Sequence, residues 1–144
     1  MSIMETNREI TEEQHNAIVD RLHFPREEGW EHGIRHFAEL TPSDLDAIRA
    51  IAPGFVDDEP WNDFEGTKWL QQQLADCGIT EYTMHGYILP MGRSDRRLTV
   101  EGCYIDYAPL AAILNLLGKV DTADEKSFEI DQDQKGASLF LWWD

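Results

Sequence analysis

Apolar positions follow a helical period through the first half of the chain and a period of two through much of the second. Thr11 followed three residues later by Gln14 has the form of a capping box, and His15, Ile18, Val19 and Leu22 fall on one stripe of the helix it opens. Phe24-Pro25 is expected to end that helix. Between residues 26 and 40 the pattern is mixed: Trp30, Ile34 and Phe37 recur at near-helical spacing, while Gly29 and Gly33 weaken a helix. Thr41-Pro42-Ser43-Asp44 then supplies an N-cap, a proline at the first helical position and an acid in the first turn. Leu45, Ile48 and Ala52 give that helix its buried stripe, and Pro53-Gly54 closes it. Residues 55–63 read as a loop, after which Asn62 is expected to cap a helix with Glu65 at its third position. Leu70, Leu74 and Cys77 line the inner face of that helix, and Gly78 stands where a left-handed C-terminal residue belongs.

Beyond Thr80 the chemistry changes. Residues 81–89 and 98–105 are rich in Tyr, Thr, Ile and other strand formers, and the turn residues of 90–95 lie between them, predicting a β-hairpin. Asp106 is expected to cap a helix whose Leu110, Ala111, Ile113, Leu114, Leu116 and Leu117 leave almost no polar side, so this helix is predicted to be buried, with Gly118 as its stop. A second hairpin is predicted from residues 127–130 and 137–143 around Asp131-Gln132-Asp133-Gln134-Lys135-Gly136. Leu139 to Trp143 are all apolar, so that strand is either covered on both faces or offers one of them to a partner. The element order predicts one α+β domain over residues 1–144, with helices packed on a mostly antiparallel sheet. Its N-terminal half is mainly helical, and its C-terminal half is two hairpins with one inserted buried helix.

Charge narrows the function classes. Twelve Lys and Arg stand against 28 Asp and Glu in 144 residues, a formal charge of −16. Such a chain is repelled by nucleic acid and by anionic membranes, so its expected partners are neutral or basic. The opening residues lack the apolar core of a secretory signal, and no apolar run approaches the ~18 residues of a membrane span, which predicts a cytoplasmic protein. Cys77 and Cys103 sit in separate elements and read as buried thiols, outside any disulfide or metal framework.

Candidate catalytic and metal motifs are few. His32 and His36 have the i, i+4 spacing of a zinc pair on a helix, with Glu28 a turn earlier, but Gly33 and Arg35 argue against it. Asp131-x-Asp133 before Gly136 resembles the start of a calcium loop, yet Lys135 and Trp142 occupy ligand positions, so a hairpin turn is expected. A register that set His85 near Gly102 would bring it close to Cys103, and a small enzyme or ligand-binding domain there, with Tyr87 and Tyr104 nearby, is one alternative reading. Arg93, Arg96 and Arg97 cluster at the first hairpin turn as an anion site or as edge protection. No phosphate-binding glycine loop, dinucleotide fingerprint or nucleophile elbow occurs, and neither a cofactor nor a metal is expected.

The leading expectation is therefore a binding protein without catalytic residues. Asp57, Asp58, Glu59, Asp63 and Glu65 surround Trp61 and Phe64, and these seven residues are the predicted partner-binding site. A second acidic group, Asp121, Asp124, Glu125, Glu129, Asp131 and Asp133, surrounds the final hairpin. The expected partner is a basic protein such as a nuclease or another nucleic-acid-binding enzyme, whose positive groove an acidic chain covers. Immunity proteins, antitoxins and phage-encoded anti-defence inhibitors share that logic of charge and size. A structural subunit that docks through Trp142 and Trp143 is the remaining alternative.

Overall fold

The computed structural model describes residues 10–24, 34–89 and 95–144. Among them are four helices, α1 (Glu12–Val19), α2 (Pro42–Ile51), α3 (Thr67–Asp76) and α4 (Leu110–Lys119). The five strands are β1 (Arg35–Leu40), β2 (Thr83–Ile88), β3 (Leu98–Pro109), β4 (Glu125–Ile130) and β5 (Gly136–Trp142). The strands form an antiparallel sheet in the order β1-β2-β3-β5-β4, so the fold is α+β. Two compact units divide the chain: residues 1–57 with 84–100, and residues 58–83 with 101–144.

In the first unit, Thr11 makes the expected capping box with Gln14, and the helix it opens buries His15 and Ile18. That helix stops at Val19, earlier than Phe24-Pro25 suggests, and Pro25 lies outside the described residues. The Gln14 side-chain amide donates to the Ile51 carbonyl and ties α1 to the end of α2. Thr41 caps α2 through the Asp44 amide, with Pro42 in its first turn, and Leu45, Ile48 and Ala52 are buried as the stripe predicts. Leu45 and Ile48 each contribute roughly 1.5–3 kcal/mol of transfer free energy, and the Ala52 methyl about 0.8 kcal/mol.

Residues 35–40, in the stretch whose pattern is mixed, form β1, paired with β2 through His36↔Tyr87 and Phe37↔Gly86. The ladder shifts between Phe37 and Leu40, where Glu39 takes φ +57°. This bulge turns Phe37 and Leu40, three residues apart, to the same buried side and so imitates a helical period. In β2 the backbone of Gly86 lies against Thr99 and Val100 of β3, and a Cβ there would collide with the Thr99 carbonyl.

In the second unit, α3 begins at Thr67 with Gly66 as N-cap, later than an Asn62 cap implies. Asn62 instead occupies a tight turn at φ +49°, inside reciprocal backbone bonds between Trp61 and Phe64. Gly66 combines φ +112° with an approach to the Asp58 carbonyl that leaves no room for a Cβ. The other end of α3 closes as expected: Gly78 is left-handed at φ +73°, its amide donates to Ala75, and the Ile79 amide donates to Leu74.

The helix after β3 departs from expectation twice. Its start is delayed to Leu110, because β3 continues through a second irregularity between Ile105 and Ala108 as far as Pro109. It is also not buried, since only Ile113 and Leu116 are fully enclosed while Leu114 is 53% exposed. The final hairpin forms as predicted, with β4 against β5 in the register Ser127↔Phe140 and Phe128↔Leu139. Leu139, Leu141 and Trp143 point into the core of this unit with Ile105, Ile113 and Leu116.

Candidate functional site

The expected site of residues 57–65 is divided by its own geometry. Asp57 is 9% exposed, and its carboxylate lies 3.6 Å from Arg97 Nε within the first unit, so its charge is matched internally. Asp58 lies 3.8 Å from Lys68 Nζ. Glu59, Asp63 and Glu65 are exposed acids, and Trp61 is half-buried. Phe64 corrects the expectation of an exposed anchor: it is 1% exposed. Its ring lies 4.9 Å from Trp143 and 5.3 Å from Trp61, and Trp69 lies 6.0 Å from Trp143. Aromatic residues gather because each buries a large apolar area and because tilted and edge-on ring pairs add favourable electrostatics.

Polar bonds hold this cluster closed. Trp143 Nε1 donates to Thr122 Oγ1, which donates to the Asp63 carbonyl, and Asn62 Nδ2 donates to the Asp144 carbonyl. Trp143 is accordingly 0% exposed and is not available as a docking residue, which removes half of the pair expected for a structural subunit.

A different surface brings aromatic rings and acids together. Residues paired across an antiparallel ladder share a face, so the registers Gly102↔Trp142↔Glu125 and Tyr104↔Phe140↔Ser127 define a face opposite to that of Leu139 and Leu141. Ser138↔Glu129 adds a third row. Tyr104 is 40% exposed, Phe140 and Trp142 are half-buried, and Glu125, Ser127 and Glu129 are exposed. The Tyr104 hydroxyl donates to Asp106 at 3.3 Å, which places Asp106 on this face as well. Partial burial, then the Asp106 carboxylate, and after it Glu129 and Asp131, raise the Tyr104 phenol above its usual range, because an added negative charge is opposed by those already there. Tyr107 is raised in the same direction by partial burial and by Asp133, to which its hydroxyl donates.

Sequence reasoning flagged Trp142 and the acids of the final hairpin but not their union with Tyr104, Phe140 and Asp106. The run from Leu139 to Trp143, apolar at every position, signals a strand with both faces covered or docked, and the cross-strand register sorts its residues between the two faces.

Among the described residues the other candidates form no reactive arrangement. Cys103 is 0% exposed, and burial pushes its thiol up to about 12, the reverse of an activated nucleophile. Gly86 sits against Thr99 and Val100, so the register carries His85 short of the Gly102 position that a pair with Cys103 would need. His36 lies in a strand, where i, i+4 spacing does not gather two ligands on a helix face, and His32, Gly33 and Glu28 lie outside the described residues. Among the described residues no group of three or more His, Cys, Asp or Glu is placed to hold a metal ion. Residues 131–136 form a hairpin turn, with Asp133 Oδ1 accepting from the Lys135 amide and the Asp131 amide donating to the Gly136 carbonyl.

Arg93 lies outside the described residues, whereas Arg97 is spent on neighbours: Nη2 donates to Tyr87 Oη, Nη1 donates to the Asp95 carbonyl, and Nε faces Asp57. No described helix is long and apolar enough to cross a membrane. Compared with known proteins, the chain matches no family model, no curated protein and no solved structure.

Proposed function

We propose that this protein is a non-catalytic binding protein that covers a basic surface of a partner protein, and that it docks through the outer sheet face of its second unit. The observation that carries the reading is the strip of Tyr104, Phe140 and Trp142 flanked by Asp106, Glu125 and Glu129. Rings that are half-exposed in the free protein supply contact area, and surrounding carboxylates steer a cationic surface toward them. The unit that bears them has 15 acids and four lysines, a formal −11. That field favours a partner whose own ligand is a polyanion, such as a nuclease or another nucleic-acid-binding enzyme, and it keeps nucleic acid itself away. Both cysteines are free thiols, which suits action in the cytoplasm. Immunity proteins, antitoxins and anti-defence inhibitors are the functional types that this physical logic fits.

The test is retention of partners on the immobilised protein through a salt series, followed by kinetics with the retained protein. A basic nucleic-acid enzyme is expected to bind stoichiometrically, to elute as salt rises and to be displaced by DNA or RNA. Glu125→Lys with Glu129→Lys is expected to slow association about tenfold at low ionic strength. An unchanged association rate in that double variant removes this face from the reading.

A further inference from the structure

The same hairpin ends in an open strand. Among the described residues β4 is the last strand of the sheet, pairs with β5, and has all six of its residues exposed. The bond from the Asp131 amide to the Gly136 carbonyl sets the phase of its ladder, because hydrogen-bonded and non-hydrogen-bonded pairs alternate. In the observed register Glu125, Ser127 and Glu129 direct their backbone polar groups to β5, and Lys126, Phe128 and Ile130 direct theirs outward, past the edge of the sheet. The side chains alternate in the same way. Glu125 and Glu129 lie on the aromatic, acidic face, and Phe128 and Ile130, 46% and 49% exposed, lie on the other. An edge of this kind is ordinarily shielded, and the −11 charge of its unit opposes a second copy of itself.

We infer that β4 receives an extended basic segment of the partner as a sixth strand. The inference rests on the docking face proposed above and specifies the partner's pattern. Its backbone pairs with the outward groups of Lys126, Phe128 and Ile130. On one side its basic residues, two apart, lie beside Glu125 and Glu129, and on the other its apolar residues lie beside Phe128 and Ile130. Lys126, whose ammonium donates to the Asp121 carbonyl, stands on the apolar side and excludes a basic residue opposite it. Charge complementarity selects this occupant over a neutral strand, since the acids fall only on the face that the partner's basic side chains would share.

The test uses the full chain and two synthetic peptides of equal charge, one alternating lysine with valine and one alternating lysine with proline, with hydrogen exchange as a second readout. The lysine-valine peptide is expected to bind about tenfold more tightly and to slow exchange at the Phe128 and Ile130 amides. Phe128→Pro, which deletes one outward amide and leaves every bond to β5, is expected to abolish that preference, whereas Phe128→Ala preserves it. Equal binding of the two peptides, lost in the Glu125→Lys, Glu129→Lys variant, overturns strand addition and leaves the docking face standing. Binding unaffected by that variant overturns both. A dimer of the free protein that Phe128→Pro dissociates assigns the edge to a second copy and likewise overturns the inference.

Discussion

The two units of this chain handle charge in opposite ways. All eight arginines and all five histidines fall within residues 1–57 and 84–100, with 13 acids, and all four lysines fall within residues 58–83 and 101–144, with 15. Among the described residues of the first unit, Arg97 faces Asp57 and Asp95, and Arg21 and the His23 ring face Asp44. Guanidinium and imidazole groups are planar donors suited to such fixed geometry, whereas an ammonium on a flexible stem mainly adds solvated charge. Four ammonium groups cannot neutralise 15 carboxylates, so the second unit keeps a strong field, and its sheet face lies within that field. Total charge says little about function; its distribution between matched and unmatched groups says more.

Within the second unit, adjacent tryptophans have opposite roles. Trp143→Ala opens the core beside Phe64 and Trp69 and is expected to cost about 3–5 kcal/mol in urea unfolding. Trp142→Ala removes a half-buried ring from the outer face and is expected to cost about 1 kcal/mol, while weakening partner binding. Equal stability losses would erase the distinction between aromatic core and aromatic face.

A smaller effect with the opposite sign is expected in the first unit. Glu39 is exposed and left-handed at φ +57°, so Glu39→Gly relieves backbone strain and is expected to stabilise by about 1 kcal/mol, read as a higher urea midpoint. A lower midpoint would mean that the glutamate side chain contributes more than its backbone costs.

The smallest predicted effect is one of pH. Burial, and after it the charge of Arg96, holds His15 below the ordinary histidine value of 6.5, so the fold keeps this imidazole neutral while the unfolded chain protonates it more readily. The stability it contributes is complete above pH 6.5 and declines as pH falls below that value. His15→Gln is expected to flatten the slope of urea midpoint against pH between about 7.5 and 5.5. An unchanged slope would place the acid sensitivity elsewhere.

Elements built on local chemistry were legible in the sequence. The Thr11 and Thr41 caps, the Gly78 closure and the final hairpin follow from residues within a few positions of one another. β1 was not, because the bulge at Glu39 gives two strand residues a helical spacing, and no local signal separates that from a weak helix. Asp106 has the side chain of a helix cap, but its carboxylate accepts from Tyr104 and the strand runs on. The candidate site shows the same limit of local reading. Phe64 among acids looks like an exposed anchor until Trp143, distant in sequence, is seen to cover it. The Tyr104–Phe140 row exists only through strand register, which the composition of either strand leaves open.

The closed aromatic cluster also gives the second unit an optical signature. Trp69 and Trp143 are nearly perpendicular, at 79°, with centroids 6.0 Å apart. Two indoles that close and fixed in one chiral arrangement couple their excited states, which produces near-ultraviolet circular dichroism that a freely rotating ring does not. Packing against Phe64 and Trp69 and the bond to Thr122 seat Trp143 together, so that spectral band reports the seating of the final strand without any added label.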